Sequence, residues 1–240
     1  MLSLFLASFV TFFVAIDPVA MAPMFTTMTA RMGKEWRDQM AWRSVAYATF
    51  ILLAFAFGGA WLLEQIHVSI NAFRIAGGLL LFLIAVDMLF EKRTERREER
   101  AEKVAAEQAK HPEHRDDISV FPLAIPLIAG PGAIASIMLF FAQNEGAMER
   151  AVILAGAGVN LALCLFAFLL AGPISKLMGP QVGSMLTRVF GILLAAMAAQ
   201  FVVDGITNAF NLGAPHSTRS TSPASLNSPA RAIPRPTTSR

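Results

Sequence analysis

Two stretches of this sequence place proline, glycine and aspartate inside long apolar runs, where these residue types can do chemistry. Residues 120–136 read VFPLAIPLIAGPGAIAS, with three prolines, two glycines and no charge. Residues 15–25 read AIDPVAMAPMF and echo that pattern. Proline removes a backbone donor and clashes with the carbonyl one turn back, so each stretch predicts an interrupted helix. In a bilayer, such interruptions are tolerated where they are buried in protein or line a cavity.

The second interruption predicts a binding position for an anionic group, formed by Gly130, Pro131, Gly132 and Ala133. Backbone N–H groups at the start of a half-helix are unpaired donors at the positive end of its dipole. Glycine lets the backbone approach a ligand closely and also permits positive φ. The alternative is a plain kink with no ligand.

The first interruption, at Asp17 and Pro18, predicts the opposite preference. A carboxylate beside the carbonyls that end a half-helix suits an ammonium group. The alternative is that Asp17 caps the second half-helix, and a cap beside the site satisfies both readings. Together the two interruptions predict a substrate site between broken helices.

Three further polar residues lie inside or near the ends of apolar segments. Asp87 and Asp204 are proton-coupling candidates, because charged side chains within a membrane are costly and are functional by default. The alternative is that both lie at the membrane interface. Asn160 is a substrate-binding candidate, with hydrogen bonding between helices as the alternative.

The composition predicts an integral membrane protein. Of the 240 residues 55% are hydrophobic and 15% are charged, whereas soluble domains carry about 25% charged residues. The net charge of +3 does not indicate a nucleic-acid partner, because the basic residues fall in short connections between apolar runs. The single cysteine, Cys164, excludes a disulfide framework and zinc-ligand spacing. No catalytic motif, metal cluster or cofactor is predicted, so we do not expect an enzyme.

Six apolar segments are long enough to cross a bilayer, which takes about 20 residues. They predict an all-α membrane protein whose first and fourth spans are broken. The first is interpreted as a retained span, since it has no basic start and no small-residue cleavage site. The predicted spans are 2–29, 44–63, 73–90, 118–142, 151–170 and 183–208.

Two segments outside the spans differ in character. Residues 91–117 alternate acidic and basic residues three and four apart, which predicts an exposed cytoplasmic helix or linker, with a partner-binding arm as the alternative. Residues 213–240 are rich in Ser, Thr, Pro and Arg and are predicted to be disordered.

The halves 1–90 and 118–212 echo each other as two three-helix repeats. Arg74-x-x-Gly77-x-Leu-Leu in the third span matches Arg188-x-x-Gly191-x-Leu-Leu in the sixth. Because each half has an odd number of spans, the second repeat is inverted. Lysine and arginine concentrate in 31–43 and 92–115, which predicts cytoplasmic connections there and both termini outside.

Three motifs resemble the MarC family of bacterial inner-membrane proteins. They are IDPVAMAPMF at 16–25, FRIAGG at 73–78 and PLAIPLIAGPGAI at 122–134, and the resemblance covers about residues 1–210. It implies a location in the inner membrane, and the SnatA-like members of the family are cation-coupled transporters of small neutral amino acids. Many relatives have Gly-Asn where this chain has Ala20-Met21, a difference that removes a polar contact.

The sequence therefore predicts a secondary transporter that works by alternating access, and the resemblance implies that it lies in the bacterial inner membrane and moves a small neutral amino acid. Its expected partners are the lipid bilayer, the small-molecule substrate and protons or another cation. A homo-oligomer is left open. The alternatives are a non-transporting scaffold or regulatory protein, and a channel.

Overall fold

A computed structural model describes residues 1–30, 32–90, 92–110, 117–171 and 180–210, and these ranges are helical without any strand. One of the helices in these ranges is a π-helix, and the others are α-helices. The α-helices are α1 (Leu2–Ile16), α2 (Pro18–Met28), α3 (Lys34–Gln65), α4 (Ile70–Leu89), α5 (Lys92–Lys110), α6 (Pro131–Gln143), α7 (Ala147–Leu169) and α8 (Pro180–Ala209), and the π-helix is Ser119–Ile128. The predicted disordered tail at 213–240 lies outside the described residues.

Within the described ranges, five segments are long and apolar enough to cross a membrane, and a bent pair makes a sixth if it is one span. The bent pair is the π-helix with α6, whose axes meet at 57°. The five segments are Leu2–Met28, Lys34–Gln65, Ile70–Leu89, Ala147–Leu169 and Thr187–Ala209. Large apolar side chains such as Phe50, Leu83 and Phe166 are exposed, as expected for surfaces that face lipid.

Helix α3 is longer than the span predicted at 44–63, because it begins at Lys34. The polar residues before 44 favour a helix: Glu35 lies in the first turn, where a negative charge is stabilising. Met40 and Ala41 are buried, so the N-terminal part of α3 packs against the rest of the bundle. Most of the predicted polar loop is therefore the start of α3.

The first span breaks at Asp17, as the sequence predicts. Asp17 has φ 60° and ψ 66°, a left-handed conformation in which Asp and Asn are enriched. It ends α1 through its N–H, which donates to the carbonyl of Phe13 at 2.8 Å. It also begins α2, since its side chain accepts a hydrogen bond from the N–H of Ala20 at 3.3 Å. Pro18 follows at the first helical position, where its missing N–H costs nothing.

The second break separates the π-helix from α6. Pro122 and Pro126 lie inside the π-helix. Its backbone hydrogen bonds join residues five apart, as in the 2.8 Å bond from the N–H of Ala129 to the carbonyl of Ala124. Its start is fixed by Asp117, whose carboxylate accepts from the N–H of Ser119 and pairs with Arg43 of α3 at 2.7 Å. Burial opposes ionisation of Asp117, but the bonds from Ser119 and the charge of Arg43 together hold its pKa below the ordinary value.

Helices α4 and α8 pack closely and antiparallel, with glycines at the contacts. A Cβ added to Gly78 would lie 2.9 Å from the carbonyl oxygen of Ala198, and one added to Gly205 would lie 3.2 Å from that of Asn71. Small residues let membrane helices approach in this way. Because the helices are antiparallel, Asp87 and Asp204, each near the C-terminal end of its helix, lie at opposite ends of the bundle.

Candidate functional site

A cavity of about 310 Å³ opens beside the second break. Helices α1, α4, α5 and α6 and the π-helix contribute to its wall. The residues that line it are Ala15, Ile84, Asp87, Arg96, Arg97, Arg100, Pro126, Leu127, Gly130, Pro131 and Gly132. Of the predicted site residues, Gly130, Pro131, Gly132 and Asp87 therefore lie on this one cavity.

The start of α6 presents backbone donors at the cavity wall. The N–H of Ile134 is the first of this helix to bond back, to the carbonyl of Gly130 at 3.0 Å. The N–H groups of Gly132 and Ala133 precede it and therefore have no partner within the helix. Ala133 itself is buried and does not line the cavity.

Gly132 is required for space and not for an unusual backbone. A Cβ added there would lie 2.9 Å from Cδ1 of Ile84 and 3.8 Å from Cβ of Ala15. Gly132 does not adopt the positive φ that glycine permits, since no glycine in the described residues has positive φ, so that reason for a glycine at this position is wrong. Gly130 is tighter still, since its Cβ would lie 2.8 Å from the backbone carbonyl oxygen of Pro126, which cannot move aside as a side chain can.

Asp17 does not line the cavity, but it pairs with Arg97 of α5, which does. Nη1 of Arg97 lies 3.3 Å from Oδ2 of Asp17, and both side chains are buried, at 8% and 5% exposure. Burial lowers the pKa of the Arg97 guanidinium from its ordinary value, and the charge of Asp17 opposes that change. The pair is a buried ion pair that joins the first break to the charged segment, 80 residues away in the chain.

The carbonyl of Ile16 is the second oxygen that faces Arg97, with Nη2 at 3.4 Å. In a continuous helix this carbonyl would accept from the N–H of Ala20, but that donor is bonded to the side chain of Asp17. The break therefore frees a carbonyl at the C-terminal end of α1, where the helix dipole is negative. A carboxylate and a freed carbonyl together form a position that favours a cation.

Helix α5 confirms the helix predicted in the charged segment, but the prediction that it is exposed is wrong on one face. Arg97 and Ala101 are buried, and Val104 packs against the core. These residues are spaced by four and three, so they form one stripe of the helix, which contacts α2 and α4. Sequence reasoning missed this site element, whose only signal was the apolar pair Ala101 and Val104, spaced three apart in a segment that is mostly charged.

Asp87 lines the cavity and pairs with Arg96 of α5, at 3.0 Å. This pair is more open than the first, with Arg96 65% exposed and Asp87 30% exposed. Arg100 also lines the cavity, and among the described residues it makes no ion pair. Two of the three guanidinium groups are thus balanced by carboxylates, so the cavity retains one positive charge, which favours an anionic group.

A second cavity of about 340 Å³ lies at the opposite end of the bundle, where Asp204 is. The Asp204 carboxylate accepts a hydrogen bond from Nε2 of Gln200 at 2.7 Å. Gln143, Asn144, Gln200 and Asp204 are the polar members of its wall. The two coupling candidates therefore belong to different cavities.

Asn160 lies apart from both cavities. It is fully buried, and its Nδ2 donates to the carbonyls of Phe9 at 3.0 Å and Gly156 at 2.8 Å. The bond to Phe9 ties α7 to α1, as in the helix-to-helix alternative. Pro18 is also absent from the walls of these two cavities. In the described residues, no three His, Cys, Asp or Glu side chains come together as metal ligands.

Comparison with known proteins identifies a family. Residues 2–210 match the model of the MarC family integral membrane proteins. The chain is 34% identical over 208 residues to a UPF0056 membrane protein of Methanocaldococcus jannaschii, covering 87% of this chain and 98% of that protein. It is 30% identical over 210 residues to the UPF0056 membrane protein YvbG of Bacillus subtilis, covering 88% and 97%. No solved structure matches the chain.

Proposed function

Because the chain belongs to the MarC family of integral membrane proteins, we propose that it is a secondary transporter of a small neutral amino acid. The observation that carries this proposal is the cavity of about 310 Å³ at the Gly130-Pro131-Gly132 break, with the Asp17 break joined to it through Arg97. Ligand pockets span about 300–1,000 Å³, so this one is at the small end of the range.

The cavity offers partners for both charges of a zwitterion. The carboxylate binds near the N–H group of Gly132, at the start of α6. The ammonium binds on the side of Asp17 and the Ile16 carbonyl. Each charged end of the solute thus meets a group of opposite charge or partial charge, which offsets the cost of removing that end from water.

The packing supports two inverted repeats of three spans. Helix α3, from the first half, packs on the π-helix and α6 of the second half, and α7 packs on α1 and α2 of the first. Helices α4 and α8 occupy equivalent places and pair with each other antiparallel. A two-fold axis in the membrane plane produces this arrangement, in which a helix from each half packs on helices of the other half.

The two cavities support alternating access. One holds Asp87 and the other holds Asp204, at opposite ends of the bundle. Rocking of one repeat against the other opens them in turn, and a carboxylate at each end can take up and release a coupling proton. We propose that Asp87 faces the cytoplasm and Asp204 the outside of a bacterial inner membrane, with both termini outside, from the basic residues of α3 and α5.

Counterflow with the purified full-length chain in liposomes tests this function. Liposomes loaded with unlabelled glycine, alanine or serine should take up the same labelled amino acid faster than empty liposomes do, and the rate should saturate. Uptake that does not saturate would favour the channel alternative. No flux of any common amino acid or other small solute would favour the scaffold alternative and contradict the proposal.

A further inference from the structure

The oxygens of Asp17 and Ile16 surround a cation that belongs to the protein itself. Asp17 Oδ2 and the Ile16 carbonyl lie 3.3 and 3.4 Å from the guanidinium nitrogens of Arg97. Close charge-assisted hydrogen bonds measure about 2.7–2.9 Å. Arg97 is therefore held mainly by charge, and not by a closely fitted geometry.

Neither partner of this ion pair can remain buried alone, because an uncompensated charge in the interior is strongly unfavourable. If Arg97 leaves, the charge of Asp17 has to be neutralised by a proton or balanced by another cation. The freed carbonyl of Ile16 supplies a second ligand, and oxygens of these two kinds bind both ammonium groups and hard metal cations.

Helix α5 is suited to leave, because little of it is buried. Its stripe of Arg97, Ala101 and Val104 faces the bundle, while the opposite face carries exposed Glu99 and Lys103. Its other tether, between Arg96 and Asp87, is half in solvent, and exposed ion pairs contribute little.

We propose that Asp17 and the Ile16 carbonyl form a binding site for a small monovalent cation, and that Arg97 is its intramolecular occupant. The incoming cation is the ammonium group of the solute or a metal ion such as Na⁺. When it binds, Arg97 and α5 withdraw from the cavity mouth, and when it leaves they return. This inference rests on the proposed function, because Arg97 competes with the ammonium group of the proposed solute for the oxygens of Asp17 and Ile16.

Thermal unfolding of the purified full-length protein tests the site without transport. Arg97→Ala should unfold at a lower temperature than the parent protein in tetramethylammonium chloride, whose cation has no N–H and is too large to enter. Replacing that salt by methylammonium chloride or NaCl at equal ionic strength should raise the melting temperature of Arg97→Ala. The expected rise is about 3–6 °C when the cation is at roughly ten times its dissociation constant.

The matched control is Lys103→Ala, which removes a positive charge from the exposed face of the same helix. It should respond to the three salts as the parent does. A response to methylammonium alone assigns the site to the ammonium of the solute, and a response to Na⁺ alone assigns it to a coupling ion. Adding Asp17→Asn to Arg97→Ala should abolish the response. If Arg97→Ala responds no more than Lys103→Ala, the pair is only structural and the proposal is wrong.

A second measurement covers the case in which Arg97→Ala does not fold. Ala101 is 1% exposed, so a cysteine placed there after Cys164→Ala reports whether α5 is docked. Methylammonium or Na⁺ should accelerate its reaction with a soluble thiol reagent several-fold, and leave a cysteine at exposed Glu102 unaffected. No acceleration by either cation overturns the exchange. Neither measurement depends on flux, so failure of the counterflow assay and failure of the cation response can be told apart.

Discussion

At the residue scale, Asp17 has three roles in the structure. Its N–H ends α1, its side chain begins α2, and its second carboxylate oxygen pairs with Arg97. The sequence predicts the break and the cap, because Asp-Pro has a local signature. The pairing with Arg97 has no local signal, since any of several arginines in α5 is a chemically equal partner until the helices are packed.

Asp17→Asn should destabilise the protein far more than Asp87→Asn. The amide at position 17 keeps an acceptor for the cap but leaves Arg97 buried and unpaired, a loss of roughly 3–5 kcal/mol. Asp87→Asn breaks a partly exposed pair, which contributes about 0–1 kcal/mol. Chemical or thermal unfolding of both variants in detergent measures this order. Equal stabilities would show that the Asp17–Arg97 pair contributes little.

Gly132→Val should abolish the stabilisation of the protein by glycine, alanine or serine. The added carbons meet Ile84 at the cavity wall, and overpacking of this kind costs about 1–3 kcal/mol. Gly158→Val is the matched control, because no atom lies within 4 Å of its added Cβ. Melting temperatures with and without each amino acid compare the two variants. If the amino acids stabilise Gly132→Val as strongly as they stabilise Gly158→Val, the second break is not part of the site.

At the scale of the elements, the breaks and the docking of α5 differ in how far the sequence predicts them. Pro18 and Pro131 stand at the first positions of α2 and α6, where proline is favoured, so both breaks can be read from the chain. The docked face of α5 cannot, because charges three and four apart are equally consistent with an exposed helix. The π-helix also lacks a residue signature, since its bond pattern depends on how the backbone accommodates Pro122 and Pro126.

The connections between spans should be accessible from different sides. After removal of Cys164, cysteines at exposed Glu64 and Gln143 should react with an impermeant thiol reagent in intact cells. A cysteine at Glu99 of α5 should not react until the cells are opened, because the basic connections are retained in the cytoplasm. Glu99 is suitable because its side chain is exposed, whereas a cysteine at the neighbouring Arg96 would break the pair with Asp87. Reaction at Glu99 in intact cells would reverse the proposed orientation.

At the scale of the whole molecule, the account requires two cavities that open in turn, with a carboxylate in each. Antiparallel packing of α4 and α8 separates Asp87 from Asp204, which agrees with the proposed inversion of the second half. The sequence predicts this separation from the parity of the spans. It does not predict the cavities, because their walls are assembled from up to five elements distant in the chain.

Asp87→Asn or Asp204→Asn should lose accumulation driven by a proton gradient and keep exchange of substrate in liposomes. Exchange needs no net proton movement, whereas accumulation requires that the carboxylate bind and release a proton. Uptake with and without an imposed pH gradient separates these activities. If both variants accumulate substrate as the parent does, neither carboxylate couples transport to protons.

The most direct measurement of the central claim is protection of a cysteine in the first cavity by the transported amino acid. Ile84 lines that cavity beside Gly132, so Ile84→Cys, in the absence of Cys164, should react with a thiol reagent. The account predicts that saturating glycine, alanine or serine, whichever the counterflow assay identifies, slows this reaction and leaves a cysteine at Glu99 unaffected. A counterflow substrate that does not protect position 84 would contradict the account.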